Sequence, residues 1–150
     1  MDGPDTPGEL KARALRHLVR REHSRVELAR KLAPHAESRE ALESLLDLLL
    51  AKKQLSDERF AEGRARTLAR KYGAARIRHD LKSKGVSEAI IAASSPADEV
   101  QRAAAILQRK YREPATTREE RAKRARFLQG RGFSIDVISR VLRGTEEELV

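Results

Sequence analysis

The sequence predicts an all-α protein in which three tandem three-helix repeats stack into an elongated, curved solenoid. Three observations lead to this prediction. Period-two alternation of apolar residues is nearly absent, and no hairpin dipeptide joins two β-branched runs. Helix caps and helix-ending glycines recur along the chain. Whole phrases also repeat, since "LQRKY" at 107–111 echoes "LARKY" at 68–72, and "RGFSIDVI" at 131–138 echoes "KGVSEAII" at 84–91.

Cap residues define the predicted helix starts. Capping boxes, in which a Ser or Thr and a Glu three residues later satisfy each other's backbone N–H groups, are predicted at Thr6 and Glu9, Ser24 and Glu27, and Thr117 and Glu120. Pro7 suits the first position of a helix. Further starts are predicted at Ser38, Ser56, Ser87, Ser134, and at Ser95 followed by Pro96 and Asp98.

Glycines that follow basic residues define several predicted helix ends, because a glycine accepts the left-handed conformation and bases suit the negative helix terminus. These glycines are Gly73, Gly85, Gly132 and Gly144. Joining starts to ends predicts helices over 8–22, 25–33, 39–53, 57–72, 74–84, 87–94, 96–112, 118–130 and 134–143.

Apolar residues at three- and four-residue spacing predict the faces that these helices bury. Such stripes include Leu15 with Val19, Ile77 with Leu81, and the set Leu42, Leu45, Leu46 and Leu49. The third helices of the repeats are expected to hold neighbouring repeats together through Ile90, Ile91, Val137 and Ile138. Residues expected to be structural are Phe60, Gly73, Ile77, Leu81, Gly85 and Gly132.

The spacing between matching residues defines the bounds of the repeats. A shift of 49 places His23 on Tyr72 and Leu32 on Leu81, whereas a shift of 47 places Gly85 on Gly132. The predicted division is an acidic, flexible N-terminal segment, three helical repeats and an acidic C-terminal tail, at 1–9, 10–54, 55–95, 96–144 and 145–150.

Composition restricts the compartment and the partner. The chain has 150 residues and a net charge of +9, which favours an anionic partner such as nucleic acid or an acidic protein surface. It has no cysteine, no apolar run long enough to span a membrane and no signal peptide, so a cytoplasmic protein is expected. Only 3% of the residues are aromatic, which counts against a protein that stacks single-stranded bases on rings. No coiled-coil seam demands a dimer, and a monomer is expected.

Residue constellations that would indicate an enzyme are missing from the sequence. The four histidines have no second metal ligand at a recognised spacing, and no metalloprotease, phosphate-loop, dinucleotide or nucleophile-elbow motif is present. Asp57 and Glu58 follow Ser56, so stabilisation of a helix N-terminus explains them better than catalysis. The sequence therefore predicts no catalytic residue, no metal and no cofactor.

Basic residues are the strongest functional signal. They occupy corresponding places in successive repeats, and stacked repeats would align them into one positive strip. The predicted strip consists of Arg70, Lys71, Arg76, Arg78, Lys82, Lys84, Arg109, Lys110, Arg121, Lys123, Arg124, Arg126 and Arg131. A solvated helix face is the alternative reading. Phosphate contacts alone would give sequence-independent, salt-sensitive binding.

The repeated phrases also resemble those of a known family. Residues 55–91 resemble the central repeat of the RecX family of recombination regulators, through Asp57, Phe60 and Ala61, the G-x-x-x-I-x-x-x-L pattern from Gly73 to Leu81, and the "KGV" turn at 84–86. The stretches 23–32 and 124–142 resemble the first and third repeats of that family. The resemblance covers about 11–144, and the acidic ends and "REPATT" at 112–117 are least like it.

The resemblance implies three three-helix repeats and a non-catalytic role in DNA repair, homologous recombination and the SOS response. Members of the family bind the RecA recombinase, lie in the groove of the RecA–DNA filament, and usually restrain ATP hydrolysis and strand exchange. A curved, cationic rod suits such a groove. The implied partners are the RecA filament and non-specific single- or double-stranded DNA.

Two other functions remain open on the residues alone. A DNA-binding protein without filament specificity needs the same charge and predicts tight, salt-sensitive binding to naked DNA. A structural adaptor that uses apolar helix faces predicts salt-insensitive association instead.

Overall fold

A computed structural model describes residues 3–148 of the chain, with side chains over 3–144. The described part is all-helical, without a strand, so the predicted fold class is confirmed. The α-helices, numbered α1 to α9 in chain order, are Pro7–Arg20, Arg25–Leu32, Arg39–Ala51, Asp57–Leu68, Ala74–Ser83, Glu88–Ser94, Glu99–Lys110, Arg118–Gly130 and Ile135–Glu148, and a short 3-10 helix at Ala33–His35 follows α2.

Seven of the eight predicted N-caps form, and the exception is the start predicted at Ser95. Complete capping boxes begin α1, α2 and α8, with the side chains of Thr6, Ser24 and Thr117 each accepting from the N–H of the glutamate three residues on. The hydroxyl groups of the remaining N-cap serines accept in the same way at α3, α4, α6 and α9, namely Ser38, Ser56, Ser87 and Ser134. Local sequence therefore predicts correctly where these seven helices start.

Three predicted boundaries are wrong. Helix α4 ends at Leu68 rather than 72, and α7 starts at Glu99 rather than 96, because Asp98 adopts a left-handed conformation with φ 56°. Gly144 does not end α9, which continues to Glu148. A helix tolerates an interior glycine at a cost of about 1 kcal/mol, and the residues that follow Gly144 include no breaker. The predicted tail at 145–150 thus joins α9 as far as Glu148, and its last two residues lie outside the described part.

The chain forms two compact units. Unit 1 comprises 1–63 and 81–94, and its core consists of Leu10, Ala14, Leu28, Leu32, Leu42, Leu45, Leu46, Leu49 and Leu55. Unit 2 comprises 64–80 and 95–150, and its core consists of Ala103, Ile106, Leu107, Leu128, Phe133, Val137, Ile138 and Val141. Leu15 packs against the core of unit 1, but Val19 is 86% exposed and its predicted burial is wrong, because Leu18 rather than Val19 faces that core.

A junction between the start of α2 and later residues organises unit 1. The Arg25 N–H donates to the Asp57 carboxylate at 2.7 Å, so the first residue of α4 caps the N-terminus of α2. The Ser24 hydroxyl donates to the Lys84 carbonyl at 2.7 Å. Gly85, with φ 78°, approaches Val26 so closely that a Cβ there would collide with the valine side chain. The Asp57 carboxylate thus stabilises a helix N-terminus of a different segment, not only its own.

Unit 2 contains the corresponding junction at shifted positions. The Ala74 N–H, at the start of α5, donates to the Glu99 carboxylate at 2.6 Å. The Gly73 N–H donates to the Arg131 carbonyl at 2.8 Å. A Cβ on Gly132, which has φ 93°, would lie 2.5 Å from the Arg76 Cβ. The same junction therefore occurs twice. In unit 1, α2 packs against the glycine turn that follows α5, and in unit 2, α5 packs against the glycine turn that follows α8.

The N-terminal segment occupies the equivalent place at the beginning of unit 1. The Asp5 N–H donates to the His35 carbonyl at 2.8 Å, and His35 corresponds by the shift of 49 to Lys84. The Asp5 carboxylate is also paired with Arg13 at 2.8 Å, and the hydrogen bond from that guanidinium lowers the pKa of Asp5. Asp5 thus donates to the carbonyl of His35 as Ser24 donates to that of Lys84 in the next junction.

A buried polar cluster lies next to the junction of unit 1. His23 is 1% exposed, and its Nε2 lies 2.9 Å from the Lys31 ammonium while its Nδ1 lies 3.0 Å from the Arg21 carbonyl oxygen. Because an ammonium group only donates and a carbonyl only accepts, Nδ1 carries the proton and the ring is neutral. Burial accordingly lowers the pKa of His23, and burial followed by nearby Lys31 lowers the pKa of His17.

The glycine turn of unit 2 gives the first prediction. Gly132→Ala should lower the free energy of unfolding by at least about 1–2 kcal/mol, because an L-residue at positive φ is strained and its Cβ would press on Arg76. Gly130→Ala is the matched control, since nothing lies within 4 Å of a Cβ there. Urea unfolding followed by circular dichroism measures both. Equal stabilities of the two variants would contradict the assigned role of the turn.

The acid caps give the second prediction. Asp57→Ala and Glu99→Ala should each cost about 1.5–3 kcal/mol, the usual range for a hydrogen bond to a charged group, because each leaves a helix N–H without its carboxylate. Glu58→Ala and Glu119→Ala are controls at exposed acids in first helical turns. The same urea measurement applies, and controls that cost as much as the cap variants would refute the cross-repeat contribution.

The histidine cluster gives the third prediction. The pKa of His23 is lowered in the folded state, so the unfolded chain binds protons more readily as the pH falls through about 6.5. The stability contributed by the neutral His23 should be fully present above that pH and should be lost progressively as the pH falls below it. His23→Gln should flatten this decline, whereas His79→Gln, at an exposed position, should not. A pH series of unfolding free energies measures it, and a wild-type curve that rises toward pH 5 would contradict the sign.

Candidate functional site

The net positive charge is concentrated in unit 2. Unit 1 contains 14 basic and 13 acidic residues, and unit 2 contains 18 basic and 10 acidic residues. Unit 2 thus carries +8 of the total of +9. A field of this sign attracts anions to the surface of unit 2 in particular.

The predicted strip residues divide unequally between the units. Lys82 and Lys84 belong to unit 1, and the other predicted bases belong to unit 2. Within unit 1, the Lys82 ammonium lies 3.7 Å from Glu88 and the Lys84 carbonyl accepts from Ser24. Within unit 2, Arg70, Lys71, Arg76, Arg78, Arg109, Lys110, Lys123 and Arg126 are exposed, Arg121 and Arg131 are half-buried, and Arg124 is buried.

The residues expected to be structural lie at buried positions or at close backbone approaches. Phe60, Ile77 and Leu81 are buried, at 4%, 3% and 0% exposure. Gly73 is buried against Gly132, and a Cβ on Gly73 would lie 2.5 Å from the Gly132 carbonyl oxygen. Gly85 and Gly132 have the positive φ values that favour glycine.

In unit 1, arginines pair with acids. Guanidinium groups lie 2.7 to 3.1 Å from carboxylate oxygens in four pairs, which are Arg13–Asp5, Arg21–Glu27, Arg25–Asp47 and Arg59–Glu22. Burial raises the pKa of Glu27, but hydrogen bonds from Arg21 and the Ser24 N–H outweigh it, so the pKa is lowered and the carboxylate stays charged. These pairs neutralise the field of unit 1 locally.

In unit 2, several bases lie over aromatic rings instead. Arg76 and Arg131 lie over the ring of Tyr72, at 4.8 and 5.5 Å from its centroid. Arg131 also lies 5.1 Å from the centroid of Phe127, and Lys110 lies 4.6 Å from it. Distances within about 6 Å are typical of cation–π contacts. We call the series Arg76, Tyr72, Arg131, Phe127, Lys110, Tyr111 and Arg124 the ring–cation ladder.

One end of the ladder is buried. Tyr111 meets Phe127 edge to face at 6.0 Å, and Arg124 lies 4.6 Å over the Tyr111 ring. Arg124 is 8% exposed and donates to the Glu113 carbonyl at 2.7 Å. Arg124 therefore holds the ladder against the protein body, whereas Arg76 and Lys110 are exposed along it.

The junction of unit 2 positions the ladder. Tyr72 directly precedes Gly73 and Arg131 directly precedes Gly132, so the Gly73 to Arg131 hydrogen bond brings the ring and the guanidinium together. The equivalent of Tyr72 in unit 1 is the buried His23. The same backbone junction thus carries the half-buried Tyr72 ring with its cations in unit 2 and the buried, neutral His23 ring in unit 1.

A second group of bases surrounds the C-terminus of α4. The Arg102 guanidinium donates to the carbonyls of Ala69 and Tyr72, at 3.1 and 3.0 Å, and pairs with Glu99 at 2.9 Å. Arg109 donates to the Arg70 carbonyl at 2.6 Å. Arg102 therefore stabilises the chain after α4 by binding its carbonyl groups. Arg70 and Arg109 are exposed and add positive charge beside it.

Sequence reasoning missed the three rings of the ladder. The low aromatic content argued against rings as functional groups, yet both tyrosines of the chain and one of its three phenylalanines lie together in unit 2. The repeated "RKY" phrase was the available signal, because it places a tyrosine directly after a basic pair in two repeats.

No group of three potential metal ligands occurs among the described residues. In the same part of the chain, no helix has the length and apolar character needed to cross a membrane.

Comparisons with known proteins identify the family. The model of the second three-helix domain of RecX matches residues 56–94, and that of the third three-helix domain matches residues 97–142. A regulatory protein RecX of Ralstonia pickettii (strain 12J) is 44% identical over 149 residues, covering 97% of this chain and 94% of that protein. The RecX of Herbaspirillum seropedicae is 48% identical over 134 residues, covering 87% of each chain.

Solved structures agree in fold. The crystal structure of RecX from Lactobacillus salivarius superposes with a TM-score of 0.82 at 20% identity, covering 94% of this chain and 97% of that one. A second crystal structure of regulatory protein RecX gives a TM-score of 0.71 at 24% identity, covering 89% of this chain and 73% of that one. The sequence matches extend over most of both partners, and the chain therefore belongs to the RecX family of regulatory proteins.

Proposed function

We propose that this protein is a non-catalytic regulator that binds the RecA–DNA filament and restrains ATP hydrolysis and strand exchange by RecA. Membership of the RecX family supports the choice of partner. The observation that carries the proposal is the concentration of charge in unit 2, at +8 against +1 in unit 1. A filament that contains DNA presents the phosphates that such a surface attracts.

The proposal assigns different tasks to the two units. Unit 2 supplies the electrostatic attraction that brings the protein to the filament, through exposed bases such as Arg70, Lys71 and Arg126. Unit 1, whose arginines are largely paired with acids, adds little to that attraction. Bound protein then opposes strand exchange by occupying the filament rather than by any chemistry of its own.

A second candidate function is sequence-independent binding of DNA without filament specificity. The ring–cation ladder favours it, because rings and bases together suit a nucleic-acid strand as well as a protein groove. The two functions differ in stoichiometry. A filament regulator acts at concentrations far below that of DNA, whereas a competitor for phosphates has to saturate the DNA.

The test measures ATP hydrolysis by RecA on single-stranded DNA at physiological salt, with the protein added well below the DNA concentration. The expected result is slower hydrolysis at that ratio. Unchanged hydrolysis until the DNA is saturated would reject filament regulation in favour of the second candidate.

Charge reversal in unit 2 gives the fourth prediction. Arg70→Glu, Lys71→Glu and Arg126→Glu together should raise the concentration needed for inhibition by about tenfold or more, because like-charge contacts cost several kcal/mol. The matched control is Arg16→Glu, Arg39→Glu and Lys52→Glu, at exposed positions of unit 1. Both triple variants lower the net charge from +9 to +3. Equal losses in the two variants would show that only total charge matters and would refute the assignment to unit 2.

A further inference from the structure

The ring–cation ladder contains bases that the fold does not neutralise. Arg76, Lys110 and Arg131 form no ion pair with a carboxylate in the part of the chain whose side chains the structure describes. Each lies over one or two rings, and the nearest ring centroid is 4.6 to 5.1 Å away. A ring holds a cation in place without cancelling its charge. The basic side chains of the ladder therefore remain both charged and restricted in conformation.

Order and charge together suit a particular ligand. A guanidinium stacked on a ring loses little further freedom when its N–H edge binds a phosphate, and its plane also stacks on a nucleobase. Tyr72, Tyr111 and Phe127 are half-buried, so each ring retains accessible surface. Rings that alternate with cations match a chain in which bases alternate with phosphates. In a duplex the bases are already stacked on each other, and an acidic peptide has no bases to stack.

We infer that the ring–cation ladder of unit 2 is a binding site for single-stranded nucleic acid, in which Arg76, Lys110 and Arg131 contact phosphates and the accessible parts of the half-buried Tyr72 and Phe127 rings contact bases. The inference rests on the proposed function, since it names the component of the filament that unit 2 meets. It also means that unit 2 contacts the nucleic-acid strand of the filament rather than an acidic protein surface.

The protein carries its own reporter for this site. It has two tyrosines and no tryptophan, and both tyrosines belong to the ladder. Intrinsic tyrosine fluorescence of the unmodified protein should therefore decrease saturably when an oligothymidylate of about 16 nucleotides binds. A duplex of equal length and poly-glutamate serve as comparison ligands, with binding followed independently by anisotropy of the labelled ligands. Both should leave the fluorescence unchanged.

The fifth prediction concerns variants of the ladder. Tyr72→Leu with Phe127→Leu keeps the charge and should weaken oligothymidylate binding about thirtyfold or more, since two ring contacts with bases are lost. Arg76→Gln, Lys110→Gln and Arg131→Gln should reduce the salt slope of log K by about 2, at roughly 0.7 per phosphate contact on a single strand. Arg16→Gln, Arg39→Gln and Lys52→Gln form the charge-matched control and should leave the slope unchanged. Circular dichroism checks that each variant folds.

The results separate the ladder from the proposed function. Oligothymidylate that binds without changing tyrosine fluorescence, or poly-glutamate that changes it equally, would overturn the ladder as a single-strand site. Ring variants that lose oligonucleotide binding but still restrain ATP hydrolysis by RecA would overturn the ladder as the filament contact and leave the proposed function standing. An unmodified protein that binds oligothymidylate but never slows hydrolysis would overturn the proposed function and leave the ladder intact. Since the fluorescence measurement uses the unmodified protein, it decides the matter even if a ring variant fails to fold.

Discussion

The fold depends on how the exposed N–H groups at the start of each second helix are satisfied. In both units a carboxylate at the first position of the next repeat's first helix accepts one of them, from Arg25 to Asp57 and from Ala74 to Glu99. A helix N-terminus also carries partial positive charge, so the acid stabilises it twice, by hydrogen bonding and by the dipole. Because donor and acceptor belong to different repeats, this contact stabilises the stacking of repeats as well as a single helix.

The glycine turns make this contact geometrically possible. Gly85 and Gly132 have positive φ and lie so close to the neighbouring helix start that no side chain fits. The turn in unit 2 also joins the backbone of Gly73 to that of Arg131, which sets Arg131 over the Tyr72 ring. A packing requirement thereby fixes the geometry of the surface that carries the charge. The repeat junction of unit 2 therefore also positions part of its charged surface.

The two units use the same backbone plan with different side-chain chemistry. Unit 1 pairs its arginines with acids and encloses His23 between Lys31 and Arg21, which leaves little net field. Unit 2 supports its cations with rings, which preserves the field. Duplicated repeats can diverge in this way because the junction depends on backbone groups, a glycine and one acid. The surrounding side chains are then available for another role, and in unit 2 they give a surface whose positive charge attracts anions.

The sequence by itself determined the helices, their caps and the phase of the repeats, since these depend on residues three or four positions apart, as in the box of Ser24 and Glu27. It also located the basic residues and the glycines of the turns. It misjudged the end of α4, where carbonyls are capped by the distant Arg102. It did not predict that the Asp57 carboxylate accepts from the Arg25 N–H, or that Tyr72, Phe127 and Tyr111 lie against cations. Only the tertiary structure decided these, because contacts between residues 16 to 60 positions apart depend on how the helices pack and leave no local pattern.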